Sequence, residues 1–194
     1  MEEAVGSRER LSKVAKDIID HYNGRGLAGK AMIVTISRRV AVELYKIIVK
    51  NPKAPQVAVV VSKAEDFKGV IQKEIDSKEL ERKFKDPEDP LKIAIVCDMW
   101  LTGFDVPSLH TMYLDKPLKN HTLMQAIARV NRVYKDKPGG LVVDYIGIAN
   151  DLKKALSVYS SNVQKEAMIP LESAIEKMRE KHDIVKNMFS GVDF

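Results

Sequence analysis

Short apolar runs rich in β-branched residues alternate along this chain with stretches of helical periodicity, and that alternation narrows the fold more than any other feature. Ala31-Met32-Ile33-Val34-Thr35-Ile36 is apolar on both sides of an extended chain, the pattern of a strand buried on two faces. Gln56 to Val61, Lys92 to Cys97, Leu109 to Leu114 and Gly140 to Asp144 repeat it. Helical patterns lie between and before them. Leu11, Val14, Ala15, Ile18 and Ile19 recur at helical spacing from Arg8 to Tyr22, ahead of Asn23-Gly24. Ser37 can cap a second helix with Val40, Leu44, Ile47 and Ile48 on one face and Asn51-Pro52 at its end. Such an order predicts an α/β, three-layer domain: a mostly parallel sheet, helices on both faces, right-handed crossovers. Ligands of these sheets gather beyond the carboxyl ends of the strands.

Two stretches depart from the alternation. Lys63 to Pro90 is strongly charged, carries only short helical patterns such as Glu79 to Phe84, and closes in Asp86-Pro87-Glu88-Asp89-Pro90. It reads as a solvated excursion over the sheet. After Ile148 the pattern turns helical: Asp151 to Tyr159 leaves the sheet, and Pro170 can start another helix. Leu171, Ile175, Met178, His182, Val185 and Phe189 then form a narrow seam suited to one partner helix, with His182 as a packing residue. The expected organisation is one domain over 1–158 and the start of a helical region over 159–194.

Composition excludes several functions. The single cysteine, Cys97, allows neither an internal disulfide nor a thiolate metal cluster, and no metal site is expected. No signal peptide opens the chain and no run approaches the ~18 apolar residues of a membrane span, so the expectation is a cytoplasmic protein with no membrane partner. A net charge of +5 permits a polyanionic partner without demanding one. Gly24 to Ala31 fits a phosphate loop up to its last position. There Ala31 lacks the hydroxyl that holds magnesium, and the segment follows a helix and opens a strand, the reverse of what phosphate binding requires. No acidic Asp-Glu box follows any strand. This chain is not a complete ATPase.

The chemistry concentrates in Gln125-Ala126-Ile127-Ala128-Arg129-Val130-Asn131-Arg132. At helical spacing both guanidiniums leave one face, opposite an apolar face of Leu123, Ile127 and Val130. Two cations beside a glutamine suit a phosphate chain whose charge grows during phosphoryl transfer. An isolated pair of this kind ordinarily belongs to a surface helix that pairs its arginines with carboxylates. The surrounding order decides otherwise: Leu101-Thr102-Gly103-Phe104-Asp105 follows the third strand, then comes a strand, then this helix.

Thr102-Gly103-Phe104-Asp105 resembles motif V of superfamily 2 helicases, and Gln125 to Arg132 resembles their motif VI. More narrowly, Ile93 to Asp105, Leu114-Asp115-Lys116-Pro117, Met124 to Arg132 and Gly139 to Tyr145 resemble the restriction (R) subunit of type I restriction–modification enzymes. Ala128 and Asn131 stand where general helicases usually carry glycine, and type I R subunits look like this chain there. The resemblance runs from about Lys30 to Leu156.

It implies a RecA-like second motor domain from a larger subunit whose first motor domain and nuclease domain are absent here. It further implies Arg132 as arginine finger, with Arg129 and Gln125 positioning phosphates. ATP and Mg2+ would be held mainly by the missing domain. Asp105 would meet the ribose or a bridging water, and Gly103 would bind the nucleotide with it and, beside Thr102, meet the DNA backbone. Thr102, with Thr35, Ser37 and Arg38 after the first strand, would contact the DNA backbone. The implied partners are double-stranded DNA, the first motor and nuclease domains, and the modification and specificity subunits. On its own the chain is expected to be an inactive part of an ATP-dependent, site-specific deoxyribonuclease.

Alternatives are the second motor domain of another superfamily 2 DNA or RNA helicase, and a catalytically silent RecA-like assembly module. The latter has no need to keep two unpaired cations. Trp100, between Met99 and Leu101, reads as core rather than as a base-stacking ring. Tyr134, Lys135 and Lys137 read either as a basic loop over DNA or as a solvated tip.

Overall fold

The structure is a computed structural model and describes residues 5–26, 29–62, 67, 77–101, 103–118, 120–135, 137 and 139–148. The chain divides into two units, Met1–Leu152 and Lys153–Phe194, and the described residues all belong to the first. Thr102, the helix over 151–159, the Leu171–Phe189 seam and the domain boundary at 158 lie outside the described residues.

The apolar runs form strands β1 (Lys30–Thr35), β2 (Gln56–Val60), β3 (Leu91–Val96), β4 (Leu109–Asp115) and β5 (Leu141–Asp144). They make one sheet in the order β2-β3-β1-β4-β5, every neighbouring pair parallel. Among the described residues four helices cover it: α1 (Arg8–Gly24), α2 (Arg38–Ile48), α3 (Ser77–Lys85) and α4 (Asn120–Val130). Residues alternate between two cores. Ala31, Ile33, Ile93, Ile95 and Tyr113 pack on Leu11 and Ile18 of α1 and Leu44 and Ile48 of α2. Met32, Val34, Ala94, Val96 and Met112 pack on Leu80 and Phe84 of α3 and Leu123, Ala126 and Val130 of α4. Burial on both faces is why the runs of β1, β3 and β4 are continuously apolar and do not alternate with polar residues. At the sheet edge β5 leaves Leu141 exposed and Val142 to Asp144 half-buried, against the expectation of a doubly covered strand.

The charged stretch needs correction. Its second half is α3, which turns Leu80 and Phe84 onto the sheet and keeps its charges outside in Glu79–Lys83 and Glu81–Lys85 pairs at 3.0 and 2.5 Å. Two inward side chains one helical turn apart suffice to cover β2 and β3, and the surrounding charge hides them from a composition-based reading. The false phosphate loop is structural. Lys30 is 1% exposed and donates to the Lys83, Asp89 and Leu91 carbonyls at 3.3, 3.0 and 2.6 Å.

A helix joining parallel strands must run back against them, and this decides where α4 ends. Its last carbonyl, on Val130, accepts from Lys137 Nζ at 2.7 Å, and the same ammonium reaches the Leu109 carbonyl at the start of β4 at 3.0 Å. Gly140, just before β5, lies so close that a Cβ there would stand 2.3 Å from the Val130 carbonyl oxygen, so only glycine fits. Thus α4 starts near the carboxyl edge and finishes beside the amino ends of β4 and β5. Of the segments that resemble motifs V and VI, which follow β3 and β4, only the beginning of the β3–β4 connection opens onto the carboxyl edge where ligands of such sheets are expected.

Candidate functional site

Arg129 is the next-to-last residue of α4, and its Nε donates to the Leu101 carbonyl at 2.8 Å. Burial is the main cause that lowers its pKa, and Arg132 lowers it further against the opposing pull of Asp105. Arg132 lies past the end of α4, not on it. Its Nη1 meets Asp105 Oδ2 at 2.5 Å, with the two side chains 54% and 51% exposed. Gln125, Ala128, Arg129 and Arg132 line one open pocket of about 210 Å³. The helix ends before the second arginine, yet the turn at Asn131, whose N–H bonds the Ile127 carbonyl at 3.0 Å, keeps both on one flank. Neither cation is unpaired, contrary to expectation: each is aimed by an acceptor from the β3–β4 connection.

The Leu101–Asp105 segment, where described, contributes two things. Gly103 adopts φ +69, a conformation glycine takes without steric cost, although nothing stands within 4 Å of where its Cβ would be. Its small size therefore serves backbone geometry and leaves the surface above it open. Asp105 serves as the partner of Arg132.

A second pocket, about 300 Å³, opens at the carboxyl edge between Ile36, Ser37, Arg38, Val61, Ser62 and Asp98. The Ser37 hydroxyl caps α2 by accepting from the Val40 N–H at 3.2 Å. Arg38 Nη1 donates to the Ser62 carbonyl at 3.0 Å. Thr35 does not belong to this surface. It is fully buried, and its hydroxyl donates within 3.2 Å of the Val96 and Ser37 carbonyls. Cys97 adjoins the pocket, but burial pushes its thiol up to about 11, so it is no nucleophile at neutral pH.

Lys116 and Asp98 went unassigned in the sequence. Lys116, just past β4, reaches over the end of β1 to Asp98 at 2.5 Å and to the Cys97 carbonyl at 3.2 Å. The ammonium hydrogen bond is what holds the Asp98 carboxyl below its usual range. Nothing short of the strand order could place these two groups together. Lys137 is also reassigned: it points inward at three carbonyls and is no part of a basic loop over DNA.

Residues 56–147 match the family described as type I restriction enzyme subunit R domain 3. Along its whole length the chain is 55% identical to a Methanocaldococcus jannaschii protein provisionally named type I restriction enzyme MjaIXP endonuclease subunit, covering 19% of that protein. It is 42% identical over 97% of its length to the type I restriction enzyme HindI endonuclease subunit of Haemophilus influenzae, covering 20% of it. The chain belongs to the type I restriction enzyme R-subunit family. It spans about a fifth of the curated relatives it matches.

Solved structures agree on the fold. A fragment provisionally assigned to the HsdR subunit of a Vibrio vulnificus type I restriction enzyme superposes with a TM-score of 0.58 at 19% identity, over 76% of this chain and 29% of that one. The C-terminal domain of the DEAD-box protein Dbp5 gives 0.51 at 16% identity, over 75% of this chain and 76% of its own. The R-subunit segment is therefore a RecA-like α/β domain of the kind found in helicase C-terminal halves. Among its described residues no helix is long and apolar enough to cross a membrane.

Proposed function

We propose that this segment is the second motor domain of an ATP-dependent DNA translocase within a type I restriction endonuclease, working in the cytoplasm beside a first motor domain and a nuclease domain. The observation that carries it is the convergence of Gln125, Arg129 and Arg132 on one open pocket. Two guanidiniums and the NH2 of an amide give a wall rich in hydrogen-bond donors, which fits phosphate oxygens. ATP with Mg2+, held mainly by the first motor domain, supplies the phosphoryl group to be transferred. Arg132 reaches it as the arginine finger, while Arg129 stays seated on the Leu101 carbonyl and Gln125 orients phosphate oxygens. Arg132 must first leave Asp105. An exposed pair of this kind is worth about 0–1 kcal/mol, so the exchange costs little. Asp105 then becomes available to the ribose or to a water.

Duplex DNA is proposed to lie along the carboxyl edge, with Ser37 and Arg38 on its phosphates, together with Thr102 and Gly103. Modification and specificity subunits would choose the sequence. Since the metal-binding half of the nucleotide site is supplied from elsewhere, the isolated chain should release no phosphate from ATP with duplex DNA present.

The pairing of both arginines favours one competing reading, a silent assembly module, because paired cations need no catalytic reason to be kept. Arg132→Ala in the intact subunit separates the two. The finger reading expects DNA-stimulated turnover to fall by about 10³–10⁵ with nucleotide affinity nearly intact. Near-normal turnover would favour the silent module or move the role to Arg129.

A further inference from the structure

The loop from Asp98 to Asp105 contains a backbone conformation that an ordinary connection avoids. Trp100 has φ +67, a region that a bulky residue occupies only where its surroundings impose it. Its ring is buried and lies on Phe104, with centroids 4.1 Å and planes 8° apart. Phe84 of α3 packs against both rings, at 5.5 and 6.3 Å. Lys85 Nζ stands 5.3 Å over the Phe104 ring and completes the cluster.

The residue after each ring gives the cluster its meaning. Leu101, next after Trp100, offers the carbonyl that seats Arg129, and Asp105, next after Phe104, offers the carboxylate that holds Arg132. The two acceptors sit in one short loop, one residue beyond each of two stacked rings. Movement of either ring would therefore shift the group that aims an arginine. Simple core packing explains the burial of Trp100, but a leucine in an unstrained backbone would serve that end equally well.

We propose that Trp100 is a positioning residue for the arginine pair. Stacked on Phe104 and Phe84, it fixes the loop so that the Leu101 carbonyl and the Asp105 carboxylate direct Arg129 and Arg132 to one pocket. This rests on the reading of Arg132 as the finger.

The test is a double-mutant cycle in the intact subunit, reading kcat for DNA-stimulated ATP hydrolysis and, separately, nucleotide affinity. Trp100→Leu should lower kcat by about 10–100-fold, the loss expected when reacting groups shift by about 1 Å, with affinity almost unchanged. Trp100→Phe, which keeps a ring on the stack, should recover most of the rate. Combined with Arg132→Ala, Trp100→Leu should cost less than the product of the two single losses, because the finger, one of the two groups it aims, is gone. Multiplying losses would show general damage and overturn the positioning role alone, as would a Trp100→Leu enzyme of wild-type rate. Normal turnover in Arg132→Ala by itself would overturn the finger reading and this proposal with it. If Trp100→Leu does not fold, Phe104→Leu breaks the same stack from its other ring, and the same cycle and outcomes apply.

Discussion

Lys137 and Arg132 belong to one short stretch after α4, yet they treat their charges in opposite ways. Lys137 turns inward and gives its protons to the Val130, Leu109 and Pro107 carbonyls, and burial lowers its pKa. Lys30 does the same from β1, on three carbonyls of the α3–β3 segment. Arg132 turns outward to a single carboxylate and remains more than half exposed. The Val130, Leu109, Lys83 and Leu91 carbonyls cannot move away from an inward lysine without unfolding the helix or strand they belong to. A half-exposed carboxylate can exchange with another anion at almost no cost. The availability of a cation therefore depends on the mobility of its partner, and hardly on whether it has one.

Substituting the two residues in turn tests that contrast most directly. Arg132→Ala should lower DNA-stimulated turnover by about 10³–10⁵ while shifting the chain's urea unfolding by no more than about 0.5 kcal/mol. Arg132→Lys should rescue little, since an ammonium lacks the planar fork. A substantial recovery with lysine would mean that charge alone suffices. Lys137→Ala should behave in reverse, losing about 1–3 kcal/mol of stability as the Val130 and Leu109 carbonyls lose a charged donor. If urea midpoints of Lys137→Ala and wild type coincide, the inward contacts contribute nothing and the contrast collapses.

A smaller effect is expected at the carboxyl edge. Binding to duplex DNA by this one domain should be sequence-independent and weak, near the 10⁻⁴ M end of the usual range of about 10⁻⁴–10⁻⁶ M, and should fall steeply with salt. Arg38→Ala should weaken it uniformly and lower the salt slope by about one. Fluorescence anisotropy on two unrelated duplexes across a salt series measures both. A strong preference for one duplex would indicate base readout, and no binding at low salt would favour the assembly module.

The smallest expected effect is a loss of stability in acid. His110 is buried, and desolvation, with Arg25, Lys137 and His21 nearby, lowers its pKa below 6.5. As pH falls through 6.5, the unfolded chain takes up a proton that the folded chain does not, so stability declines there. His110→Gln should flatten the dependence of Tm on pH across that interval; an unchanged slope would place the titrating group elsewhere.

Much of this molecule is legible in local sequence. Continuous β-branched runs favour strands, and all five strands appear within a residue or so of the runs that announced them, although only β1, β3 and β4 are covered on both faces along almost their whole length. Ser37 caps α2 because an N-cap needs only its own hydroxyl and a nearby N–H. Motif order pointed to the family, and helical spacing put Gln125 and Arg129 on the same pocket.

Which cations remain available was settled by tertiary contacts alone, because that depends on acceptors distant in sequence. Leu101 and Asp105 come to the arginines across the β3–β4 connection, and Lys116 meets Asp98 only because β1 is inserted between β3 and β4. The charged α3 became part of the core because two apolar side chains one turn apart outweigh a solvated exterior once a sheet lies beneath them. The edge on which α4 ends came from the parallel strands, since a crossover helix must return to the end where the next strand begins.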